Sequence, residues 1–372
     1  MQRVDSQFLN IFQVTHPGMK GKVNEDRLGF ASFSDGDLEK TSITLGVLCD
    51  GIGGHRAGEV AADLAVRSII DGFASSDEGA TLDHLQKSVI AANQLIFQEA
   101  KKNQMHSGMG STCACVLVIN NQLFTCSVGD SRIYLLRKKV LTQVSTDHTW
   151  VQEAIETGLI QPLEAETHPN RHVLRRYLGS PTPPRVDTRL KLTAGESDLQ
   201  SEANQGLFLD EGDIILLCSD GLTDLVQDKE IENTLISKPP QEAIEFLVSL
   251  ANQRGGHDNI TILLMQVPKK QAVPVGKPRR RWILGCLLIF IFTILLAVVV
   301  LYGIGFLDKL LYPVTTVTPG FQLEFPTETS ISLSTADQGV NTNEQPVSSP
   351  MPLQEVPGQA TITPLPTDTI YP

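Results

Sequence analysis

The chain has 372 residues and a net charge of −12, which argues against a nucleic-acid-binding protein, because neutralising phosphates needs a basic face. Its six cysteines lie in apolar runs without a C-x-x-C pair, which is typical of small buried side chains in a reducing compartment. Residues 1–10 contain no continuous hydrophobic run of the kind found in a secretory signal, so we expect the N-terminal part to remain in the cytoplasm.

The first part of the chain predicts three strands and two helices. Residues 8–14 and 28–33 predict short strands, and Ile43–Cys49 is a continuous apolar run typical of a strand that is buried on both faces. Apolar residues recur at helical spacing over 57–73 and again over Leu82–Lys102, which predicts two amphipathic helices. Asp50 therefore stands at the end of a predicted buried strand.

The following part predicts an antiparallel meander and then an insertion. Four apolar segments separated by turn residues predict the meander strands, at 113–119, 123–128, 133–136 and 140–144. Residues 146–179 predict a surface insertion with a short helix at 150–157, and 191–206 is expected to be a loop. A strand at 214–218, a helix at 241–253 and a strand at 259–267 complete this part. Separate runs of strands and helices favour an α+β layered fold over a doubly wound parallel sheet.

Three aspartates, Asp50, Asp220 and Asp258, adjoin predicted buried strands. Since two of them precede glycine, each alone is compatible with a tight turn and nothing more. Together they indicate a cation site, because rigid strands would carry several carboxylates to one edge of the core. The glycines after Asp50 carry no side chains, so the carbonyl oxygen of Gly51 can closely approach a ligand. Such oxygen ligands predict Mg²⁺ or Mn²⁺, whereas zinc favours His and Cys sets.

Two such ions about 3.5–4 Å apart can bridge one water, lower its pKa and bind both the attacking and the leaving oxygen of a phosphoryl displacement. No side-chain nucleophile is then required. His55, in the glycine-rich stretch, either donates a proton to a leaving alkoxide or simply hydrogen-bonds the loop, and we favour the second role. Ser131 and Ser219 are interpreted as turn residues or as hydrogen-bonding partners of the neighbouring acids.

The motifs of residues 8–267, taken in order, resemble the metal-dependent protein phosphatase (PPM) family, protein phosphatase type 2C, in its bacterial form. The segments that carry the resemblance are NED at 24–26, DGIGGH at 50–55, GSTC at 110–113, VGDSRIY at 128–134, TDHTWVQ at 146–152, the stretch 154–179, CSDGLTD at 218–224 and GGHDNIT at 255–261. The resemblance implies an α+β fold, a four-layer sandwich of two antiparallel β-sheets flanked by helices. It also implies hydrolysis of phosphoserine and phosphothreonine by a metal-bridged water.

The resemblance assigns metal ligands by matching motifs. Asp50 would bridge two Mn²⁺ or Mg²⁺ ions, and Gly51 would offer its carbonyl oxygen. Asp220 and Asp258 would bind one of these ions. Asp130 matches the position that, together with Asp220, helps to hold a third and weaker metal in bacterial members.

Further roles are implied around this centre. Glu25 and Asp26 would act near the metals, mainly through coordinated waters. Residues 146–179 match the flap that overhangs the site in the family. The flap arginines Arg171, Arg175 and Arg176 either meet the phosphate or acidic side chains of a substrate or are merely solvated.

One position departs from the family pattern. The family usually places an arginine three residues before the Asn of its first motif, where it grips the substrate phosphate, and this chain has Gly21 there, between Lys20 and Lys22. A lysine ammonium attracts phosphate as a point charge but lacks the bidentate guanidinium fork. Lys20 and Lys22 are therefore the predicted phosphate-binding residues.

An apolar segment near the C-terminus predicts a membrane-spanning helix. Residues 282–307 carry no charge, which satisfies the roughly 20 residues that a spanning helix needs, and a buried core helix is the less favoured alternative. Lys and Arg cluster before the segment, whereas only Lys309 follows it. The positive-inside rule then predicts a cytoplasmic N-terminal part and an extracytoplasmic C-terminus. The basic cluster is also able to contact anionic lipid headgroups.

The sequence thus predicts four regions. They are a catalytic domain at 1–268, a basic juxtamembrane linker at 269–281, a transmembrane helix at 282–307 and an extracytoplasmic tail at 308–372. The tail is rich in Pro, Thr and Ser and is expected to be extended or disordered.

The functional prediction is an active, membrane-anchored serine/threonine phosphatase that acts on phosphorylated proteins and opposes a protein kinase. Because the phosphate-gripping arginine is missing, a regulatory module that binds phosphoproteins with weakened catalysis is the alternative. A third hypothesis is hydrolysis of small phosphate esters alone.

Overall fold

The computed structural model of the protein describes residues 1–4, 8–21, 23–34, 41–53, 57–75, 79–269 and 280–311. The chain divides into two units, Met1–Lys277 and Pro278–Pro372. In the first unit the strands are β1 (Gln2–Arg3), β2 (Asn10–His16), β3 (Arg27–Ser34), β4 (Ile43–Cys49), β5 (Gly51–Ile52), β6 (Gly110–Ser111), β7 (Cys113–Ile119), β8 (Gln122–Val128), β9 (Arg132–Arg137), β10 (Val140–Gln143), β11 (Leu207–Phe208), β12 (Ile214–Cys218) and β13 (Ile260–Gln266).

The helices of the first unit range from long packing helices to single turns. They are α1 (Ala57–Ala74), α2 (Leu82–Lys102), α3 (Trp150–Glu156), α4 (Pro162–Ala165), α5 (Asp198–Ala203), α6 (Asp220–Thr223), α7 (Asp228–Ser237) and α8 (Pro240–Gln253), with a 3-10 turn at Gln104–His106. Helix α2 begins where the Thr81 hydroxyl accepts a hydrogen bond from the backbone N–H of His84, which satisfies one of the free donors of its first turn.

Two antiparallel sheets face each other in this unit. The strand order is β1-β3-β4-β7-β8-β11 in the first sheet and β10-β9-β12-β13-β2 in the second sheet. Apolar side chains from both sheets, among them Leu48, Leu217 and Leu263, fill the space between them and are fully buried. The sandwich is therefore stabilised by removing this inner layer from water.

Helices cover the outer face of each sheet. Side chains of α1 and α2, such as Ile69 and Leu85, pack with Leu45 on the first sheet, and those of α7 and α8, such as Leu247, pack with Leu216 on the second sheet. All seven residues of β4 are buried because this strand is covered on both faces. The predicted α+β fold of two antiparallel sheets flanked by helices is confirmed.

The predicted meander is only partly correct. Strands β7 and β8 pair with each other in the first sheet, whereas β9 and β10 pair in the second sheet. The chain therefore passes from one sheet to the other at residues 129–131, between β8 and β9. This crossing places Asp130 where the ends of the two sheets meet.

One local prediction is wrong, and one helix lies where no element was predicted. Residues 191–206 contain helix α5, which begins with a capping box in which Ser197 and Gln200 each accept a hydrogen bond from the other's backbone N–H. Helix α7 was not predicted, because its segment is largely polar and only one side of the helix is buried.

The flap, residues 146–179, lies over the end of the sandwich and contains α3 and α4. Single β-bridges hold it at Thr149 to Leu174 and at Ser111 to Leu178. The Trp150 indole stacks on the His168 imidazole, with ring centroids 4.5 Å apart. The flap is therefore ordered by its own contacts and is tied to the strand ends beneath it.

The second unit is described only as helix α9 (Arg280–Leu311). Its stretch Cys286–Ile304 has 19 residues with a mean hydropathy of 3.0, and its side chains are exposed to the surroundings. By length and composition this helix is able to cross a membrane. The predicted tail beyond residue 311 lies outside the described residues.

Candidate metal centre

Strand pairing brings the predicted acids to one end of the sandwich. In the first sheet, Arg27 at the start of β3 pairs with Cys49 at the end of β4, which places Asp26 beside Asp50. In the second sheet, the end of β12 runs beside the start of β13 and of β9, which carries Asp220, Asp258 and Asp130 to the corresponding end. Residues that lie as far apart in sequence as 26 and 258 thus share one region.

A hydrogen bond joins the two sheets at this end. The hydroxyl of Ser219, which is fully buried, donates to Asp26 Oδ2 over 2.7 Å, and it accepts from the backbone N–H of Thr261 over 3.0 Å. Asp26 directly precedes β3 of the first sheet, whereas Ser219 directly follows β12 and Thr261 lies in β13 of the second sheet. Ser219 therefore supports an acid, as predicted, and fixes its position across the sandwich.

Asp26 is only 1% exposed. Burial, with a smaller contribution from the charge of Asp258, raises its pKa to about 6, although hydrogen bonds from Thr261 and Ser219 act in the opposite direction. The ionised form of Asp26 is thus disfavoured in a chain without a bound cation.

Asp50 is held through its backbone. Its N–H donates to Thr112 Oγ1 over 2.9 Å, and its carbonyl accepts from the N–H of Thr112 over 2.8 Å. The hydroxyl groups of Thr112 and Ser131 are 2.7 Å apart, so Ser131 also has the predicted supporting role. Burial and the charges of Asp26 and Asp220 raise the pKa of Asp50 well above its usual range.

Asp220 is the first residue of α6, directly after β12. Burial raises its pKa well above the usual range, and the charges of Asp130 and Asp224 add to this effect. Burial, followed by the charge of Asp147, likewise raises the pKa of Asp130 to about 7. Asp258 is more exposed, and its Oδ1 accepts from the N–H of Asn259 over 2.9 Å.

Glycines permit a close backbone approach beside these acids. A Cβ atom at Gly51 would lie 2.2 Å from the carbonyl oxygen of Gly58 and 2.7 Å from that of Glu25. The backbone N–H of Glu25 donates to Asn259 Oδ1 over 2.7 Å. Glu25 and Gly51 are therefore packed against each other, and no other residue type fits at position 51 without displacement.

Of the two predicted phosphate-binding lysines, the structure describes one. Lys20 is exposed, while Lys22 and His55 lie outside the described residues. Gly21 has a left-handed φ of +68°, and a Cβ atom there would meet nothing within 4 Å. Arg27 does not replace the missing arginine, since it donates to the carbonyl of Asp26 and pairs with Glu59.

The acids fit a hard divalent cation. Two shielded carboxylate oxygens, Asp26 Oδ1 and Asp220 Oδ1, have no hydrogen-bond partner in the described part of the chain. A buried carboxylate oxygen without a partner is costly unless a proton or a cation satisfies it. The side-chain atoms that converge here are carboxylate oxygens, and Mg²⁺ and Mn²⁺ prefer oxygen ligands.

The sequence did not single out two residues that join this cluster. Asp224 follows α6 and influences the pKa of Asp220, and His172 of the flap lies beside Asp224, with Nδ1 3.6 Å from Asp224 Oδ2. Asp224 is the last residue of the CSDGLTD motif, which was the available signal. His148 is buried, with its Nε2 3.0 Å from Asp187 Oδ2.

Comparison with known proteins points to one family. Residues 18–263 match the family described as protein phosphatase 2C. The serine/threonine phosphatase stp of Listeria innocua is 35% identical over 225 residues, which are 59% of this chain and 83% of the relative. The protein phosphatase PhpP of Streptococcus pneumoniae is 30% identical over 270 residues, which are 71% of this chain and 100% of the relative.

A solved structure extends the similarity to the fold. The crystal structure of the catalytic domain of the serine/threonine protein phosphatase PstP, in complex with two manganese ions, superposes with a TM-score of 0.55 at 31% identity, over 70% of this chain and 99% of that chain. The fold and the relatives define the class, which is that of the serine/threonine phosphatases. This chain belongs to the protein phosphatase 2C family, and the predicted resemblance is confirmed.

We predict that the metal-free protein loses stability as the pH rises from about 4 to about 7. The pKa is about 6 for Asp26 and about 7 for Asp130 in the folded chain, so the folded state binds more protons than the unfolded state in this range. The free energy of unfolding should fall by up to about 1.4 kcal/mol per pH unit for each such carboxyl group. Urea denaturation in the presence of a chelator measures this slope.

Two comparisons test the cause of the slope. Asp130→Asn should make it shallower, whereas Asp71→Asn, which changes a carboxyl group that is 70% exposed, should leave it unchanged. Saturating Mn²⁺ should abolish the slope, because bound carboxylates are already deprotonated. A stability that stays level or rises with pH in the metal-free protein would contradict the prediction.

Proposed function

We propose that the chain is a metal-dependent protein serine/threonine phosphatase that hydrolyses phosphoserine and phosphothreonine, with its catalytic domain held at the cytoplasmic face of a membrane. The convergence of five aspartates at one end of the sandwich carries this proposal: Asp26, Asp50, Asp130, Asp220 and Asp258. Membership of the protein phosphatase 2C family supports it.

The proposed ligands are those that the motifs predict. Asp50 would lie between two Mn²⁺ or Mg²⁺ ions, with the carbonyl of Gly51 as a further ligand, and Asp220 and Asp258 would bind one of the two. When bound, the ions supply a water of lowered pKa and positive charge at the transferring phosphoryl group. The PstP catalytic domain, which contains two manganese ions, supports this choice of metal.

The remaining acids would hold waters or a weaker ion. Glu25 and Asp26 would act through coordinated waters, and Asp130 would help Asp220 to hold a third ion. The hydrogen bond from Ser219 fixes the carboxylate of Asp26, so that its shielded Oδ1 stays available to a water or ion. Because this carboxylate is already held in place, the site needs little reorganisation during the reaction.

Substrate phosphate would be attracted by lysines. Lys20 is exposed next to Gly21, and Lys22 is its proposed companion. Arg27 is committed to a backbone carbonyl and to Glu59. Because an ammonium group offers no bidentate fork, we expect a weaker grip on phosphate than an arginine would give.

Gly21 also favours the alternative function. Without the phosphate-gripping arginine, the chain would bind phosphoproteins as a regulatory module at the membrane and turn them over slowly. Hydrolysis of small phosphate esters alone is the third candidate, since that reaction needs the metal centre but no protein-binding surface. The shielded, unpartnered oxygens of Asp26 and Asp220 support an occupied metal centre, which the full enzyme requires.

The proposed organisation keeps the predicted regions at 1–268, 269–281, 282–307 and 308–372. Helix α9 would cross the membrane once, with the basic linker near anionic lipid headgroups. The excess of Lys and Arg before the apolar stretch of α9 supports a cytoplasmic catalytic domain and an extracytoplasmic tail. The proposed partners are phosphorylated proteins and a serine/threonine protein kinase whose products the enzyme hydrolyses.

We predict that Asp50→Asn lowers Mn²⁺-dependent hydrolysis of p-nitrophenyl phosphate and of a phosphothreonine peptide at least about a hundredfold, because several kcal/mol of charge stabilisation depend on the bound ions. Asp71→Asn, an exposed carboxyl group on α1, is the matched control and should retain activity. Peptide binding without turnover by the unmodified chain would establish the regulatory module. Turnover of the aryl ester alone would establish the small-ester hydrolase.

We predict that Gly21→Arg lowers the KM for both substrates by about tenfold or more, because a charge-assisted hydrogen bond contributes about 1.5–3 kcal/mol. The open space at Gly21 admits the side chain, although its φ of +68° should cost about 1–2 kcal/mol of stability. Lys20→Ala should raise the KM. Gly195→Arg, which has the same left-handed backbone and open space at φ +84°, is the control and should leave the KM unchanged.

We predict that the full chain stays in the membrane fraction after alkaline carbonate extraction, whereas a chain ending at residue 268 is released. In spheroplasts, added protease should remove a C-terminal epitope tag and leave the catalytic domain intact. The basis is the 19-residue apolar stretch of α9 and the cluster of Lys and Arg before it. Digestion of the catalytic domain with protection of the tag would reverse the proposed topology.

A further inference from the structure

The end of the sandwich opposite to the acid cluster, called here the remote end, carries a lysine-containing turn. Strand β12 reaches the acid-rich end with its last residue, Cys218, whereas its first residue, Ile214, pairs with Leu136 of β9. The two residues that join β9 to β10, Lys138 and Lys139, directly follow that end of β9. This turn therefore lies at the remote end.

A second hairpin turn at the remote end shows what is unusual about the first. Asn120 and Asn121 join β7 to β8 there, since Asp130 follows β8 at its other end. Both turns have a left-handed backbone, with φ of +49° and +79° at the asparagines and of +51° and +68° at Lys138 and Lys139. Asparagine and glycine adopt this conformation readily, whereas lysine does so at a cost. The stability of the turn alone therefore does not account for its two lysines.

The positive charge of this turn is not compensated by neighbouring acids. Lys138 and Lys139 are exposed, and neither has an ion-pair partner in the described part of the chain. The acids beside the turn pair with Arg137 instead, with Asp213 Oδ2 at 2.6 Å from its Nη2 and Asp210 Oδ2 at 3.8 Å from its Nε. The two ammonium groups are thus available to an external anion.

Exposed apolar side chains flank the lysines. Val140, the first residue of β10, is 59% exposed, and Phe208, the last residue of β11, is 65% exposed. Arg137 Nη2 donates to the carbonyl oxygen of Phe208 over 2.7 Å, which holds Phe208 beside the hairpin. Ammonium groups around an aromatic ring suit a bilayer interface, where the charges meet anionic headgroups and the ring reaches the acyl boundary.

The chain also leaves the first unit at the remote end. Gln266, the last residue of β13, pairs with Ile214. The side chain of Lys269 lies over Gly212, where a Cβ atom would be 2.7 Å from Lys269 Cε. Residues 270–279 join Lys269 to the start of α9 and span at most about 40 Å when fully extended. The point from which the domain is tethered thus lies at the same end as the lysine-containing turn.

We propose that the remote end is a surface that docks on an anionic lipid bilayer, with Lys138, Lys139 and Lys269 at the headgroups and Val140 and Phe208 at the acyl boundary. A docked domain directs its acid cluster and flap away from the bilayer, towards phosphorylated proteins in the cytoplasm. The inference rests on the membrane anchoring in the proposed function and adds to it a contact made by the folded domain itself.

Quenching by lipids with nitroxide headgroups tests the surface on the full chain in nanodiscs. Trp282→Phe leaves Trp150 of the flap as the sole tryptophan, and Phe208→Trp then adds an emitter at the remote end. Docking of the added tryptophan should favour phosphatidylglycerol over phosphatidylcholine at least about tenfold, because each lysine at an anionic surface raises binding about fivefold. Salt at about 0.5 M should remove this difference. Trp150 should stay unquenched in both lipids.

A pair of substitutions separates docking from folding. Lys138→Asn/Lys139→Gly removes both charges and supplies the residues that this turn type prefers, so its unfolding midpoint should not fall. It should weaken docking on phosphatidylglycerol at least about tenfold. Lys101→Ala/Lys102→Ala, an exposed lysine pair in the last turn of α2, is the matched control and should leave the quenching unchanged.

The outcomes distinguish this inference from the proposed function. Equal quenching in both lipids, or quenching that Lys138→Asn/Lys139→Gly leaves unchanged, would overturn the docking surface without affecting the phosphatase proposal. Stronger quenching of Trp150 than of the added tryptophan would also overturn it. A blue shift of the added tryptophan in detergent that increases with protein concentration would assign the surface to a second copy of the chain. Dissociation of the full chain from the nanodiscs would refute the membrane anchoring and, with it, the basis of the docking surface.

Discussion

The burial of several carboxylates that also repel one another is the constraint on which the acid-rich end of the sandwich depends. Burial and neighbouring negative charges raise the pKa values of Asp26, Asp50 and Asp220 together, and two of their oxygens are shielded without partners. Only protons or cations relieve such an arrangement, so the fold is completed by a charge that the polypeptide does not supply. Aspartates that only formed tight turns would not need to be buried together, so the energetic cost of burying them indicates a bound cation.

Each of the two sheets contributes part of the centre. The first sheet supplies Asp26 and Asp50, and the second supplies Asp220 and Asp258, while the hydrogen bond from Ser219 to Asp26 fixes one set against the other. Glycine at position 51 lets the backbones come close enough for this geometry. The flap then adds His172 from outside the sandwich, so the surroundings of the acids depend on a segment that is held by few bridges.

Local sequence patterns predicted the bounds of a strand or helix correctly where those bounds depend on the residues of that element alone. The bounds of β4, α2 and β7 were predicted correctly, because continuous apolar runs and helical spacing are intrinsic to those segments. The passage from one sheet to the other after β8, and the meeting of His172 with Asp224, depend on contacts distant in sequence that no local pattern carries. Helix α5 was missed although Ser197 and Gln200 gave a usable capping signal. The convergence of the acids followed from the strand ends, whereas their hydrogen bonds did not.

The pairing of β2 with β13 joins nearly the two ends of the first unit, as in the contact between the hydroxyl groups of Thr15 and Thr261, 246 residues apart. During translation, the second sheet therefore cannot be completed until β13 has left the ribosome. Asp258, which lies just before β13, emerges together with this strand. Helix α9 begins at Arg280, so it follows directly through the exit tunnel. Completion of the acid cluster and emergence of the apolar helix from the ribosome thus fall together in time.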